Sequence, residues 1–358
     1  MDNSYYTISQ DPDGSTPCTP TVASPAEVRR HFSKLGLAYL TMTVAFMAAA
    51  YAVQFALLYA CPELLNAWWM RWALSLLPLY GVGLPVLWLM LRKIPVGPHN
   101  PDCMEKGLPC DKPAFAWKHW FILLIIAFGC MTAGSILGNI IMSVMSAVMQ
   151  YDYAFALNSM VYDTPIWFTF ICTCICAPLG EELLFRKLLI DRTRRYGDWT
   201  AILLSGLLFG LFHGNLFQFF YAALVGMILA YIYTRSGSYL RCVAMHAAIN
   251  FMGSIVIPAL GRLITPYLSA EELTSEMMLD PAFLLAMLVS LLLSAWQYGM
   301  LIAGITLFCI YFKHRKLSRG TALPEGGRAS VPVLVNPGMI ACLVIMLLLL
   351  AVNLIPVR

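Results

Sequence analysis

Apolar runs recur along the chain, separated by polar stretches rich in Pro, Gly and charge. They cover about 35–60, 70–91, 118–149, 164–190, 200–213, 216–234, 241–257, 280–312 and 338–355. A helix needs about 20 apolar residues to cross a bilayer, and most of these runs reach that length. The pattern predicts an all-α fold, a polytopic transmembrane helix bundle of about 8–9 membrane segments. It lacks the alternating ten-residue segments of a membrane barrel. The run 200–213 is short for a span, and only Gly214-Asn215 separates it from the next.

Local signals sharpen the boundaries. Ser24, Pro25 and Glu27 have the N-cap, N1 and N3 pattern of a capping box. Thr164-Pro165 is read as another N-cap and N1 pair, and Asp280-Pro281 opens the eighth run. Gly134 and Gly138 allow close helix approach in the third run, and Gly206, Gly210 and Gly214 form a small-residue stripe in the fifth. The expected organisation is a disordered, juxtamembrane cytoplasmic tail (1–34), N-terminal transmembrane helices with a cytoplasmic loop at 92–117 (35–163), a core (164–257) and C-terminal transmembrane helices (258–358).

Composition agrees. The 358 residues are 60% hydrophobic and 12% charged, where soluble domains carry about 25% charge. The net charge of +4 matters through its placement. If every run crosses, Arg29, Arg30 and Lys34, then Arg92 and Lys93, then Lys187, Arg192, Arg194 and Arg195 share one side. Arg235, Arg241, Lys313, Arg315, Lys316 and Arg319 fall there too. Asp152, Asp163, Glu271, Glu272, Glu276 and Asp280 lie opposite. Positive charge inside places the N-terminus in the cytoplasm. The basic residues line the membrane boundary without an aromatic platform, which argues against nucleic acid as a partner. Of 11 cysteines, Cys172, Cys174 and Cys176 have neither zinc-ribbon nor CxxC spacing and read as small apolar packing residues.

Ionisable residues inside a membrane are costly and mark function. Here they are Glu181, Glu182 and Arg186 in the fourth run, His213 at the end of the fifth and His246 in the seventh. Glu182 and Arg186 are four apart, so they share a helix face and can pair. Such a pair serves equally as a helix-orienting device or as support for chemistry. Glu181 points about 100° away, with Phe185 and Leu184 where a partner cation would sit. That leaves it available as a general base. His246 and Asn250, again four apart, can both donate to an oxyanion; the bland alternative is interhelical hydrogen bonding.

"EELLFR", "FGLFH" and "HAAIN" occur in this order. They resemble the EExxxR, FxxxH and HxxxN motifs of the CPBP family, the CAAX proteases and bacteriocin-processing enzymes also called Abi, which includes the Ras-converting CAAX endopeptidase. The resemblance covers roughly 165–257, making 164–257 a CPBP-like catalytic core. It implies an intramembrane endopeptidase in which Glu181 activates water with help from His213. His246 and Asn250 would then form the oxyanion hole, with Glu182 and Arg186 supporting the site. The expected cofactor is none. Zinc held by Glu181, His213 and His246 is the alternative, since a catalytic zinc takes three protein ligands, although HExxH is missing. A non-catalytic scaffold or immunity protein would be expected to lose a motif residue, and all six are present. A proton-relay transporter would be expected to show internal repeats; 35–150 has no counterpart of the charged helix. The implied partner is a peptide or protein substrate, lipidated or not, met by a multi-pass protein in the lipid bilayer. The short loops and the family's distribution suggest a bacterial inner membrane.

Overall fold

The computed structural model describes residues 23–97, 115–151, 153, 164–268, 275–317, 320, 322 and 330–355. The tail before Ala23, residues 98–114 of the expected cytoplasmic loop, and Asp152, Asp163, Glu271, Glu272 and Arg319 lie outside the described residues. Within them the protein is helical and shows no strand.

The nine principal helices among the described residues are α1 (Pro25–Ala60), α2 (Met70–Leu91), α3 (Trp117–Met149), α4 (Ile166–Tyr196), α5 (Asp198–Phe212), α6 (Leu216–Ser236), α7 (Tyr239–Thr265), α8 (Pro281–Phe312) and α9 (Pro337–Val352). Seven are long and apolar enough to cross a membrane; α5 and α9 are shorter apolar helices. The protein is thus an integral, multi-pass membrane bundle. The capping box at α1 is present: Glu27 N donates to Ser24 Oγ at 3.3 Å, and Ser24 N donates to Glu27 Oε2 at 2.7 Å. Asp280 Oδ1 caps α8 by accepting from Ala282 N at 2.9 Å. The expectation for α4 is off by one residue. Pro165, extended at ψ 134°, holds the N-cap position. The Thr164 hydroxyl is engaged elsewhere, accepting from Trp72 Nε1 at 3.1 Å.

Apolar packing forms two cores. One joins α1, α2, α4, α5 and α9 through residues such as Phe32, Leu87, Phe185, Leu208 and Met346. The other joins α3, α6 and α7 through Leu123, Leu229 and Met245, with α8 packed against it. Helix α6 lies against both α5 and α3, and so holds the two halves together. The glycines foreseen in α3 make this possible: a side chain at Gly134 would overlap the Tyr221 backbone. Gly206 and Gly210 likewise admit Ala223 and Met227 of α6. Gly134→Leu should therefore lower the thermal midpoint in detergent, by an overpacking cost of about 1–3 kcal/mol or more. Gly299→Leu, at a position with nothing nearby to meet a Cβ, should leave it unchanged.

Candidate active site

Three of the helices that build the site region are irregular. Single π-helical turns occur at Leu79–Gly83 in α2, at Ile171–Cys176 and Leu183–Leu188 in α4, and at Met252–Val256 in α7. Such turns concentrate at functional sites. Three have a local cause, because a proline follows two residues after each: Pro85, Pro178 and Pro258. Proline removes an N–H and crowds the carbonyl four residues back, and a wider turn relieves both. The fourth, Leu183–Leu188, has no such proline. It begins directly after Glu182.

Between the two π turns of α4, Glu182 is fully buried and makes two bonds. Its Oε2 lies 2.9 Å from Arg186 Nε, and its Oε1 accepts from His246 Nδ1 at 2.9 Å. Arg186 is equally buried, donates to Ser205 Oγ at 3.4 Å, and lies with its guanidinium 4.6 Å from the Phe209 ring centroid. Ser205 in turn donates to Phe185 O at 2.9 Å. A carboxylate accepts only, so His246 carries its proton on Nδ1 and turns Nε2 away from Glu182. That Nε2 stands 3.9 Å from Glu181 Oε2, an atom with no hydrogen-bond partner among the described residues. Arg186, Glu182, His246 and Glu181 therefore form one row from α4 to α7, buried except at its Glu181 end. The Tyr80 ring lies against Gly180, leaving no space for a side chain there, and its hydroxyl donates to Cys176 O at 3.3 Å.

Asn250 shares a face with His246 as expected and also turns toward α4, donating to Thr173 O at 2.8 Å. His213 ends α5. Its Nδ1 donates to Phe209 O at 2.8 Å, which leaves the lone pair on Nε2. The Phe209 ring lies edge-on to both histidines, 4.9 Å from His213 and 5.6 Å from His246 between centroids. The turn after His213 has Gly214 at φ +67°, a left-handed value that suits glycine. Asn353, past the end of α9, donates to Gly214 O at 2.7 Å. Asn215 then caps α6 by accepting from Gln218 N at 2.9 Å.

The structure thus joins Glu182, Arg186 and His246 directly, sets Glu181 3.9 Å from His246, ties Asn250 to the same helix pair, and brings His213 alongside through Phe209. Among the described residues no three His, Cys, Asp or Glu side chains are grouped to hold a metal ion. His246 Nδ1 and His213 Nδ1 are both bonded to protein acceptors, which leaves the Nε2 atom of each ring facing away from those acceptors. Sequence reasoning missed Ser205, Thr173 and Tyr80. Ser205 had a signal, as a hydroxyl in an apolar helix four residues before Phe209; Thr173 acts through its backbone and had none.

A multi-pass membrane bundle with a buried carboxylate–imidazole–carboxylate row across two helices is the class that this fold and site define. Residues 163–252 match the family described as Type II CAAX prenyl endopeptidase Rce1-like, the family to which the three motifs pointed. The matched region contains all six expected site residues and supports a membrane endopeptidase of the CAAX type, a hydrolase acting on a peptide or protein. Comparison with curated proteins and with solved structures gives no match.

Proposed function

We propose that the protein is an intramembrane endopeptidase that hydrolyses a peptide bond with a water activated by Glu181. The observation that carries this is the facing pair of Glu181 Oε2 and His246 Nε2, 3.9 Å apart. They are too far apart to bond each other, yet close enough for one oxygen to hydrogen-bond both. Glu181 takes a proton from water as the oxygen attacks the peptide carbon. His213 Nε2, with its lone pair, assists as a second acceptor. Donation to the oxyanion requires a proton on His246 Nε2 as well as on Nδ1. Nε2–H then donates to the oxyanion, beside the second N–H of Asn250. Glu181 returns its proton to the departing amine, which completes hydrolysis. Glu182 and Arg186 act by holding His246 in place.

The CAAX-type match makes a lipidated C-terminal peptide the first substrate to try. The basic helix ends further support a cytoplasmic N-terminus. The test uses the purified full chain in detergent, with fluorogenic C-terminal peptides in prenylated and unprenylated form, each with and without o-phenanthroline. Cleavage that persists in the chelator is the expected result. Cleavage lost to the chelator and restored by zinc would replace this mechanism with a metal-dependent one.

A further inference from the structure

A groove of about 320 Å³ lies at the basic end of α1, far from the buried row in sequence and in chemistry. Arg29, Arg30, Ser33, Lys34 and Leu37 of α1 line it, with Pro337 of α9 as the facing wall. The wall is close because α1 and α9 cross on glycine: side chains at Gly36 or Gly338 would overlap the opposing backbone. Arg29, Arg30 and Lys34 are all exposed. None bonds to an acidic side chain among the described residues. The nearest acid along the helix, Glu27, spends its carboxylate on Ser24.

Two further features fix the chemistry. The first amides of α9 are already used. Gly338 N donates to Ser33 Oγ at 3.0 Å and Met339 N to Asn336 Oδ1 at 2.9 Å, while Pro337 has no N–H. Any anion in the groove is therefore held by the three side-chain cations. Leu37, 47% exposed, continues the same helix face one turn deeper into the apolar part of α1. Three cations above an apolar strip, at the boundary of a membrane helix, match a phosphate joined to an acyl chain.

We propose that this groove binds the headgroup of an anionic phospholipid, with the lipid's phosphate between Arg29, Arg30 and Lys34 and its chain along Leu37. A basic side chain near a membrane surface contributes about 1 kcal/mol toward anionic lipid, roughly fivefold in affinity, so three supply about a hundredfold.

The test is a thermal-midpoint titration of the full chain in detergent with phosphatidylglycerol, phosphatidylcholine, inorganic phosphate or glycerol 3-phosphate. Phosphatidylglycerol should raise the midpoint and phosphatidylcholine should not. The combined Arg29→Gln, Arg30→Gln, Lys34→Gln variant should need about a hundredfold more phosphatidylglycerol. Should that variant misfold, the single Arg30→Gln and Lys34→Gln variants should each need about fivefold more. A variant with Arg92→Gln, Lys93→Gln and Lys313→Gln removes as much charge elsewhere and should respond like the wild type. An equal loss in that variant would overturn the proposal in favour of diffuse surface charge. Equal protection by inorganic phosphate or glycerol 3-phosphate would overturn the lipid source and leave a free-anion site.

Discussion

Glu181→Ala is expected to abolish peptide hydrolysis, lowering kcat by about 10²–10⁴, the usual range for a lost general base. Its thermal midpoint should stay near that of the wild type. The two expectations are separable because of how Glu181 is held. Its side chain is 17% exposed, lies 3.9 Å from the nearest His246 nitrogen, and leaves Oε2 without a hydrogen-bond partner among the described residues. Removing it breaks little that supports the fold. It deletes the one carboxylate in the row that is not already neutralised by a neighbour at bonding distance. Kinetics on the best peptide of the panel, beside a melting curve of the same preparation, reads both. Activity within a few fold of wild type would end the proposed mechanism.

Glu182→Ala is expected to lose stability as well as activity. Glu182 is fully buried and is the only described carboxylate within bonding distance of Arg186, itself fully buried. It also holds His246 at 2.9 Å. Removing one partner of a buried ion pair costs roughly 3–5 kcal/mol, because the other charge is left desolvated. Replacing both partners with apolar side chains costs far less. The combined Glu182→Met, Arg186→Met variant should therefore melt closer to the wild type than Glu182→Ala does, while remaining inactive through the freed His246. A single variant that melts like the wild type would mean that the pair is not desolvated as described.

The segments were legible because burial in lipid sets a length and an apolar composition that few soluble helices share. Most of the observed helix ends fall within a few residues of the apolar runs; α1 starts early at its capping box, and α4 and α7 run on to Tyr196 and Thr265, past the expected 190 and 257. Gly134 was legible for a similar reason: a small residue on a long apolar helix has few uses besides close contact. The Glu182–Arg186 pair could be read because both ends lie within about one helical turn. The partner of Glu182 across the site, His246, is 64 residues away and has no local signature. Faces along the whole of α4 were also beyond reach. Each π turn adds a residue to the turn and rotates everything after it, so a 3.6-residue period fails across Ile171–Cys176 and Leu183–Leu188. The prolines that accompany three of the four π turns were in plain view. Thr164 shows the converse limit, since its hydroxyl had a choice of partner that only the tertiary structure decided.

The unequal helix lengths shape the surrounding lipid. At about 1.5 Å per residue, α1 is about 54 Å long and α8 about 48 Å, whereas α5 is about 22 Å and α9 about 24 Å. The hydrocarbon core is about 30 Å thick. The long helices can tilt or extend beyond it, but the two short ones cannot reach across. Their ends are joined, with Asn353 bonded to the carbonyl of Gly214 next to His213. Thinning is one of the ways in which a bilayer accommodates short helices. Thinning beside the turn that carries His213 would bring water and headgroups nearer to the buried row than a bilayer of uniform thickness allows.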